Sequence, residues 1–492
     1  MAADKPPADC LDRRRAGILL HLTSLPGLGP CGSLGAEAHN FVRFLAASGF
    51  TVWQMLPVGP TQGDGSPYQT SSAHAGSPRL IALEPLLEHG WLDQLPPPDD
   101  EPEAAKLAAL ARAWQGFQQR AEPADREALA AFAKAQAYWL DDYALFRALH
   151  EDRDSPWWQW PEALRHREAR ALGRARSRLA QAIDYIVFEQ FLFFTQWQAL
   201  RAHAKGLGVK LFGDMPIFVA HDSAEVWARQ GDFDLNPDGS LRVVAGVPPD
   251  YFSATGQRWG NPLYRWDRIQ ADGFRFWLAR MRTQLGLFDM IRIDHFRGFE
   301  SYWEIPASEE TAIQGHWVKA LGDELFERLH QRFGTLPLIA EDLGIITDAV
   351  DALRRKYRLP GMKVLQFAFS GDSDNPYLPF QHDRDSVVYT GTHDNDTTLG
   401  WYRSLDDGQR GYVDAFLGHP REEMPWPLIR SALASRAHLA ILPMQDVLAL
   451  DGEHRMNIPG TSGGNWSWRF HWEQVRTGLA QELRELVRLY AR

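Results

Sequence analysis

Eight short apolar segments, spread along the whole chain, constrain its fold more than any other feature. Most of them end at a polar residue or at a Gly/Pro cluster. Apolar runs of roughly four to eight residues are typical of strands that are buried on both faces, as in parallel sheets. The segments are Gly17–Leu22, Thr51–Leu56, Val209–Gly213, Met290–Ile293, Leu336–Ala340, Met362–Phe369, Val387–Thr390 and Leu439–Leu442.

Helical patterns separate several of these segments. Before Leu336–Ala340, apolar residues recur at every fourth position and Gly334 stands where a helix C-cap is expected. After it, Thr347 can cap a further helix that precedes the next apolar segment. A strand–helix–strand unit requires parallel pairing, so eight such strands predict an α/β (β/α)₈ TIM barrel. A doubly wound open sheet would use the same elements, and counting strands does not separate the two.

The spacing of the segments predicts an insertion. Residues 57–207 separate the second and third segments; they open with a Gly/Pro/Ser-rich loop over residues 57–78 and continue as Ala/Arg/Glu-rich helical stretches. We therefore predict a catalytic barrel formed by residues 1–56 and 208–492. Residues 57–207 would form a mainly helical subdomain beside it, with loop insertions on the C-terminal rim of the barrel.

Composition excludes several classes of partner. The 492 residues include 52 Lys and Arg against 63 Asp and Glu, a net charge of −11 that argues against nucleic acid and anionic membranes as partners. Cys10 and Cys31 are the two cysteines, too few for a disulfide framework. Residues 1–15 show no secretory signal, and the apolar stretch Ile183–Trp197 is too short to span a bilayer. We expect a cytoplasmic protein in which Ile183–Trp197 is a buried helix.

Four carboxylates stand at the ends of predicted strands. Asp214, Asp294 and Glu341 directly follow their apolar segments, and Asp394 follows Val387–Thr390 closely. In a parallel barrel all C-terminal strand ends face one rim, which is where active sites of this fold lie. A single acid there is more commonly a cap or a solvated loop residue. Four in corresponding positions, each with Arg or His nearby, indicate a site instead.

The neighbours of these acids suggest glycosidic bond chemistry. Arg292 lies two residues before Asp294 and would share its side of an extended strand, holding it ionised as a nucleophile requires. Glu341 is the better general acid, because Asp342 beside it disfavours its ionisation. One ionised acid, one protonated acid and a third negative charge suit an oxocarbenium-like transition state.

A metal-dependent hydrolase is the rival barrel chemistry. It would need several converging imidazoles, for which His21, His295 and His393 are the candidates. We expect no metal site. Gly27–Gly32 matches G-x-G-x-x-G, but Pro30 interrupts it and no acid follows at the required distance, so it predicts a tight loop and no dinucleotide cofactor.

Longer motifs around these residues resemble the amylomaltases, the bacterial 4-α-glucanotransferases related to plant disproportionating enzyme and part of the α-amylase clan. The resemblance runs from about residue 17 to 470. The matching segments are 291–298 (IRIDHFRG), 340–344 (AEDLG), 391–397 (GTHDNDT), 213–219 (GDMPIFV), 246–253 (GVPPDYFS), 257–262 (QRWGNP), 66–69 (SPYQ) and 457–460 (NIPG).

The resemblance implies a role for each site residue. Asp294 would be the nucleophile of a retaining double displacement, Glu341 the general acid/base and Asp394 the transition-state stabiliser. Further residues would bind substrate. Those around the transferred sugar would be Tyr68, Asp214, Arg292 and His393. Those on the acceptor side or its covering loop would be Tyr251, Phe252, Gln257, Trp259 and Asn465. The 213–219 segment lacks the Asn that often serves a structural calcium in amylases, so no calcium site is implied.

The expected activity is transfer of α-1,4-glucan segments to the 4-hydroxyl of a glucan or glucose, without a cofactor. Two alternatives remain open at this point: a hydrolase in which water is the acceptor, and a glucan-binding protein on an inactive barrel. The intact set of acids argues against the second.

Overall fold

A computed structural model describes residues 11–27, 29–97, 101–250, 253–461 and 463–492. Within these ranges the chain forms strands that we number in chain order. They are β1 (Arg15–Leu19), β2 (Val52–Gln54), β3 (Lys210–Met215), β4 (Val243–Val247), β5 (Gln257–Arg258), β6 (Met290–Ile293), β7 (Ser301–Pro306), β8 (His316–Lys319), β9 (Leu338–Ala340), β10 (Gly361–Val364), β11 (Ser386–Tyr389) and β12 (Leu439–Pro443).

Eight of these strands form a parallel barrel. Hydrogen-bonded neighbours follow the order β10-β11-β12-β1-β2-β3-β6-β9. The two ends of this order meet, because the Ala340 N–H at the end of β9 donates to the Pro360 carbonyl just before β10 at 2.8 Å. Each predicted apolar segment overlaps one barrel strand. The TIM barrel is confirmed, and the open doubly wound alternative is wrong because the sheet closes on itself.

The barrel strands are apolar throughout because both faces are buried. Along β12, Leu439 and Ile441 pack in a cluster inside the barrel, whereas Ala440 and Leu442 belong to the core that surrounds it. The inner cluster also receives Val52 from β2 and Met290 from β6. This alternation is the two-residue period of a strand, with both faces requiring apolar side chains.

Helices surround the barrel and build the insertion. In chain order they are α1 (Ala36–Ala47), α2 (Glu84–Glu88), α3 (Pro102–Arg120), α4 (Pro123–Arg153), α5 (Glu162–Arg165), α6 (Ala169–Arg178), α7 (Ala180–Gly206), α8 (Ala224–Ala228), α9 (Trp266–Ala271), α10 (Arg275–Leu287), α11 (Gly322–Phe333), α12 (Asp348–Lys356), α13 (Thr398–Ser404), α14 (Asp407–Phe416), α15 (Trp426–Ala434), α16 (Met444–Val447) and α17 (Leu479–Leu489). Gly334 is the C-cap of α11, at φ +74°, as its position in the sequence predicts.

The insertion is helical from α2 onward. The stretch Ile183–Trp197 lies within α7 and buries Phe188 and Trp197, as expected of a buried helix. α7 packs against α3 and α4 of the insertion and also against α1, α10 and β3 of the barrel. The division at residue 207 therefore remains a proposal. In the described part of the chain, no helix is long and apolar enough to cross a membrane.

The structure contains a second sheet, on the barrel rim, that the sequence analysis did not predict. β4, β5, β7 and β8 pair antiparallel in the order β5-β4-β7-β8. The motifs at 246–253 and 257–262 thus contribute to a hairpin in which Gly246 pairs with Arg258. Two of its strands form no apolar run, because β5 has two residues, both exposed, and β8 is largely exposed. β4 is a buried apolar run, Val243–Val247, that the sequence analysis did not select.

Candidate active site

The barrel brings the four predicted carboxylates to one rim. Asp214 lies near the end of β3, Asp294 directly follows β6, and Glu341 directly follows β9. Asp394 lies in the loop after β11. The strands are parallel, so these positions share the C-terminal end of the barrel, the functional end in this fold.

Arg292 joins two of the carboxylates. Its Nη1 lies 2.6 Å from Asp214 Oδ2, and its Nη2 lies 2.9 Å from Asp294 Oδ1. Burial alone would lower the pKa of Arg292, but the charges of Asp214 and Asp294 outweigh it and raise that pKa well above its ordinary value. The guanidinium therefore remains charged and fixes the orientation of Asp294, whose side chain is 27% exposed.

Tyr68 and His393 extend this hydrogen-bond network. The Tyr68 hydroxyl donates to Asp214 Oδ2 at 2.7 Å and lies 2.9 Å from His393 Nε2. The two rings stack with centroids 5.4 Å apart. His393 Nε2 also lies 3.4 Å from Asp394 Oδ2. Tyr68 lies in the loop after β2, so the network brings together residues that are far apart in the sequence.

Glu341 has a different electrostatic environment. Burial, together with the charge of Asp294, raises its pKa from 4.5 to about 7, although Arg292 acts in the opposite direction. Two backbone N–H groups hold its oxygens, from His295 at 2.7 Å and Leu343 at 3.0 Å. His295 adopts φ +47°, a left-handed conformation. A carboxyl group with a pKa near 7 is suited to exchange protons at neutral pH.

The sequence argument gave the wrong cause for the raised pKa of Glu341. Asp342 forms an ion pair with Arg354 at 3.2 Å and accepts a hydrogen bond from the Met362 N–H at 2.7 Å. Its negative charge is thus neutralised locally, and burial of Glu341 is the dominant cause of the shift.

Two residues near Asp394 were not singled out from the sequence. Asn457 Nδ2 donates to Asp394 Oδ1 at 2.6 Å, and Arg455 Nη2 donates to the Asp394 carbonyl at 3.0 Å. Asn457 is the first residue of the 457–460 (NIPG) motif, and this motif is the sequence signal that could have identified it. Asp394 itself is 48% exposed and faces the cleft.

A cleft of about 440 Å³ opens above Asp294 and Asp394. Gln257, Trp259 and Asn465 are among the residues that line it. Trp259 Nε1 donates to Gln257 Oε1 at 3.1 Å, and its ring meets the edge of His295 with centroids 4.8 Å apart. Tyr251 and Phe252 lie outside the described residues.

Trp466 is a further aromatic residue that the sequence analysis did not select. It lines the cleft, and its ring centroid lies 6.0 Å from that of Tyr68 and 6.1 Å from that of His393. Its neighbour Asn465 accepts a hydrogen bond from the Ile458 N–H at 2.9 Å and donates to the Thr461 carbonyl at 3.1 Å. The Asn465 side chain therefore ties the backbone of Ile458 and Thr461 to the residue next to Trp466.

The rival metal chemistry finds no support in the arrangement of side chains. Among the residues that the structure describes, no group of three or more His, Cys, Asp and Glu side chains is arranged to hold a metal ion. His295 is buried enough that its pKa falls to about 4 despite the adjacent Asp294.

Residues 20–475 match the sequence model of a glycoside hydrolase family described as 4-alpha-glucanotransferase. The chain belongs to this family. The chain is 52% identical to the 4-alpha-glucanotransferase of Thermus thermophilus over 93% of this chain and 94% of the relative. It is 48% identical to that of Synechocystis over 98% and 99%. It is 41% identical to the chloroplastic and amyloplastic enzyme of Solanum tuberosum over 99% and 88%.

A solved structure is also similar. An amylomaltase from Streptococcus agalactiae in complex with acarbose superposes with a TM-score of 0.94 at 35% identity, covering 98% of this chain and 100% of that one. The family and the fold expected from the sequence are both confirmed.

Proposed function

We propose that Asp294, Glu341 and Asp394 perform the reaction of a 4-α-glucanotransferase as nucleophile, general acid/base and transition-state stabiliser. The activity itself rests on the family match and on relatives 41–52% identical over nearly the whole chain. One observation carries the assignment of roles. Asp294 is paired with a permanently charged guanidinium, whereas the pKa of Glu341 is raised to about 7. Two carboxyl groups in such different environments suit two different roles.

The first step cleaves an α-1,4-glucan. Protonated Glu341 donates its proton to the glycosidic oxygen, and an Asp294 oxygen attacks the anomeric carbon as the bond to the leaving sugar breaks. The leaving fragment departs with a free 4-hydroxyl. The glycosyl residue stays on Asp294 as an ester, and Glu341 is now ionised. Asp394, held by Asn457, supplies negative charge as the oxocarbenium-like character develops.

The second step transfers the glycosyl residue. Ionised Glu341 takes the proton from the 4-hydroxyl of an acceptor, whose oxygen attacks the anomeric carbon and displaces Asp294. Two inversions restore the α configuration, and Glu341 regains its proton. Glu341 alternates between its two forms in every cycle, and a pKa near 7 keeps both accessible at neutral pH.

The surrounding residues position the sugars. Arg292, Asp214, Tyr68 and His393 form one hydrogen-bonded network beside the nucleophile, suited to the transferred sugar. Trp259, Gln257 and Asn465, together with Tyr251 and Phe252, are proposed to serve the acceptor. An aromatic wall binds a sugar ring but not water, so a bound acceptor hydroxyl competes at a high effective concentration.

The proposed substrates are α-1,4-glucans and maltooligosaccharides as donors, with glucose or a glucan as acceptor. The Streptococcus agalactiae structure holds acarbose in the same fold. We do not propose nucleic acid or membranes as partners, because the excess of acidic side chains would repel their negative charge. A cytoplasmic location remains a proposal from the sequence.

Trapping the covalent intermediate tests the roles. With Glu341→Gln, an α-maltosyl fluoride donor needs no general acid to react, but deglycosylation loses its base, so a glycosyl-enzyme should accumulate. Peptide mass spectrometry should place the added sugar on Asp294. An adduct on Asp394 instead, or no adduct while fluoride is still released, would contradict the assignment.

A further inference from the structure

Arg297 is a buried cation that the proposed mechanism does not use. It lies on the short helical turn Phe296–Phe299, which closely follows Asp294, and it is 9% exposed. Buried charges are normally paired with an opposite charge. In the described part of the chain, no carboxylate pairs with Arg297, and burial alone shifts its pKa downward. Its position in the fold therefore has another physical reason.

Arg297 contacts a backbone carbonyl and an aromatic ring. Its Nη1 donates to the carbonyl of Ile345. That residue lies in the segment 341–347, between β9 and α12, which we call the Glu341 loop. The guanidinium of Arg297 lies over Trp317, with Cζ 3.7 Å from the ring centroid. Arginine stacks on aromatic faces in this way. The side chain thus connects the Glu341 loop to strand β8 of the rim sheet.

The rim sheet holds Trp317 in place. Trp317 pairs with Trp303 across β8 and β7, and the two rings meet edge to face with centroids 5.2 Å apart. Trp303 Nε1 donates in turn to the Ala312 carbonyl at 2.9 Å. The Trp317 ring therefore forms a fixed wall that keeps the guanidinium of Arg297 directed at the Ile345 carbonyl.

The contact at Ile345 restrains the far half of the Glu341 loop. Near its start, the loop is anchored by the ion pair and hydrogen bond of Asp342 described above. Gly344 then follows at φ +84°, which glycine adopts without strain, and Ile345 is 64% exposed. The Leu343 N–H lies between these two points and donates to Glu341 Oε1 at 3.0 Å. Its direction therefore depends on both ends of the loop.

We propose that Arg297 and Trp317 are positioning residues for the general acid/base. Arg297, stacked on Trp317, fixes the Ile345 carbonyl. The restrained loop then keeps the Leu343 N–H directed at Glu341. This hydrogen bond favours the ionised carboxylate, the form that takes the proton from the acceptor hydroxyl. The inference rests on the proposed function, because it concerns the role of Glu341 in that reaction.

Trp317→Leu tests the inference without changing any charge. The variant removes the ring that covers Arg297 but keeps the guanidinium, so a lost hydrogen bond is not confused with a lost positive charge. Weaker donation destabilises ionised Glu341, so the alkaline limb of kcat/KM for maltotriose should move up by about half a pH unit. A misaligned carboxyl group should also lower kcat about two- to tenfold. Trp317→Tyr keeps a flat ring and should restore both values.

A second donor separates loss of acid/base function from general damage. The first step with α-maltosyl fluoride needs no general acid, so kcat/KM for fluoride release by Trp317→Leu should equal that of the wild type. Tyr138→Leu is the matched control. Tyr138 is 36% exposed and covers Arg282, with Cζ 4.6 Å from the ring centroid, but it lies on α4 of the insertion. This variant should change neither the alkaline limb nor kcat.

The other outcomes contradict the inference. An unchanged alkaline limb in Trp317→Leu, a shift that Trp317→Tyr shares, or an equal loss of kcat/KM with both donors would show that the ring does not position Glu341. Failure of the proposed function has a different signature. The alkaline limb would then persist in the residual activity of Glu341→Gln, and the inference would fail with it.

Discussion

Replacing Glu341 by Gln should abolish one specific pH dependence of stability. The pKa of this carboxyl is raised from 4.5 to about 7 in the folded protein, chiefly by burial. The folded state thus binds a proton that the unfolded state releases between these two values. The stabilisation from protonated Glu341 is complete below about pH 4.5 and is lost as the pH rises to about 7. Gln resembles the protonated acid and does not ionise, so its contribution stays constant.

The magnitude follows from the size of the shift. At ~1.36 kcal/mol for each tenfold change, the ionised form is destabilised by about 3 kcal/mol, most of which falls between pH 5 and pH 8. With an unfolding entropy of about 2.1 cal/mol/K per residue over 492 residues, this corresponds to about 2–3 °C in Tm.

The assay is thermal unfolding of both proteins at pH 5 and pH 8. The Tm of Glu341→Gln relative to wild type should rise by about 2–3 °C from the lower to the higher pH. Glu324→Gln, at an exposed position on α11, is the control and should show no such trend. Parallel Tm curves for Glu341→Gln and wild type would refute the argument that burial keeps this acid protonated.

Further predictions concern the remaining site. Asp294→Ala should lower turnover by several orders of magnitude while circular dichroism shows an intact fold, and near-native activity would contradict its role as nucleophile. Asn457→Leu removes the hydrogen bond to Asp394 and should lower kcat about tenfold. Trp259→Ala should raise the ratio of hydrolysis to transfer, measured as reducing ends formed per glucose released. Dialysis against a chelator should leave activity unchanged, and activity restored by one divalent ion would instead revive the metal hydrolase.

The barrel could be predicted because its strands obey a strong rule. Both faces of each are buried, so every strand appears in the sequence as an apolar run, such as Leu439–Leu442. The rim sheet could not be predicted in the same way. β5 has two residues and β8 is largely exposed, and the pairing of Gly246 with Arg258 depends on tertiary contacts that local sequence does not record.

The acids could be located because each lies at or shortly after the C-terminal end of a strand, but their partners could not. Tyr68 reaches Asp214 from the loop after β2, and Asn457 reaches Asp394 from the loop after α16. No periodicity marks these positions, and the motifs around them gave the only signal. Burial of Glu341 likewise depends on the assembled barrel, which is why a sequence neighbour was mistaken for the cause of its raised pKa.

The product profile from pure maltotriose tests the central claim most directly. A transferase in which Asp294 holds the glycosyl residue until an acceptor binds should yield glucose and a ladder of longer maltooligosaccharides, while total reducing ends stay nearly constant. A steady rise in reducing ends with no products longer than maltotriose would make water the acceptor and contradict the account.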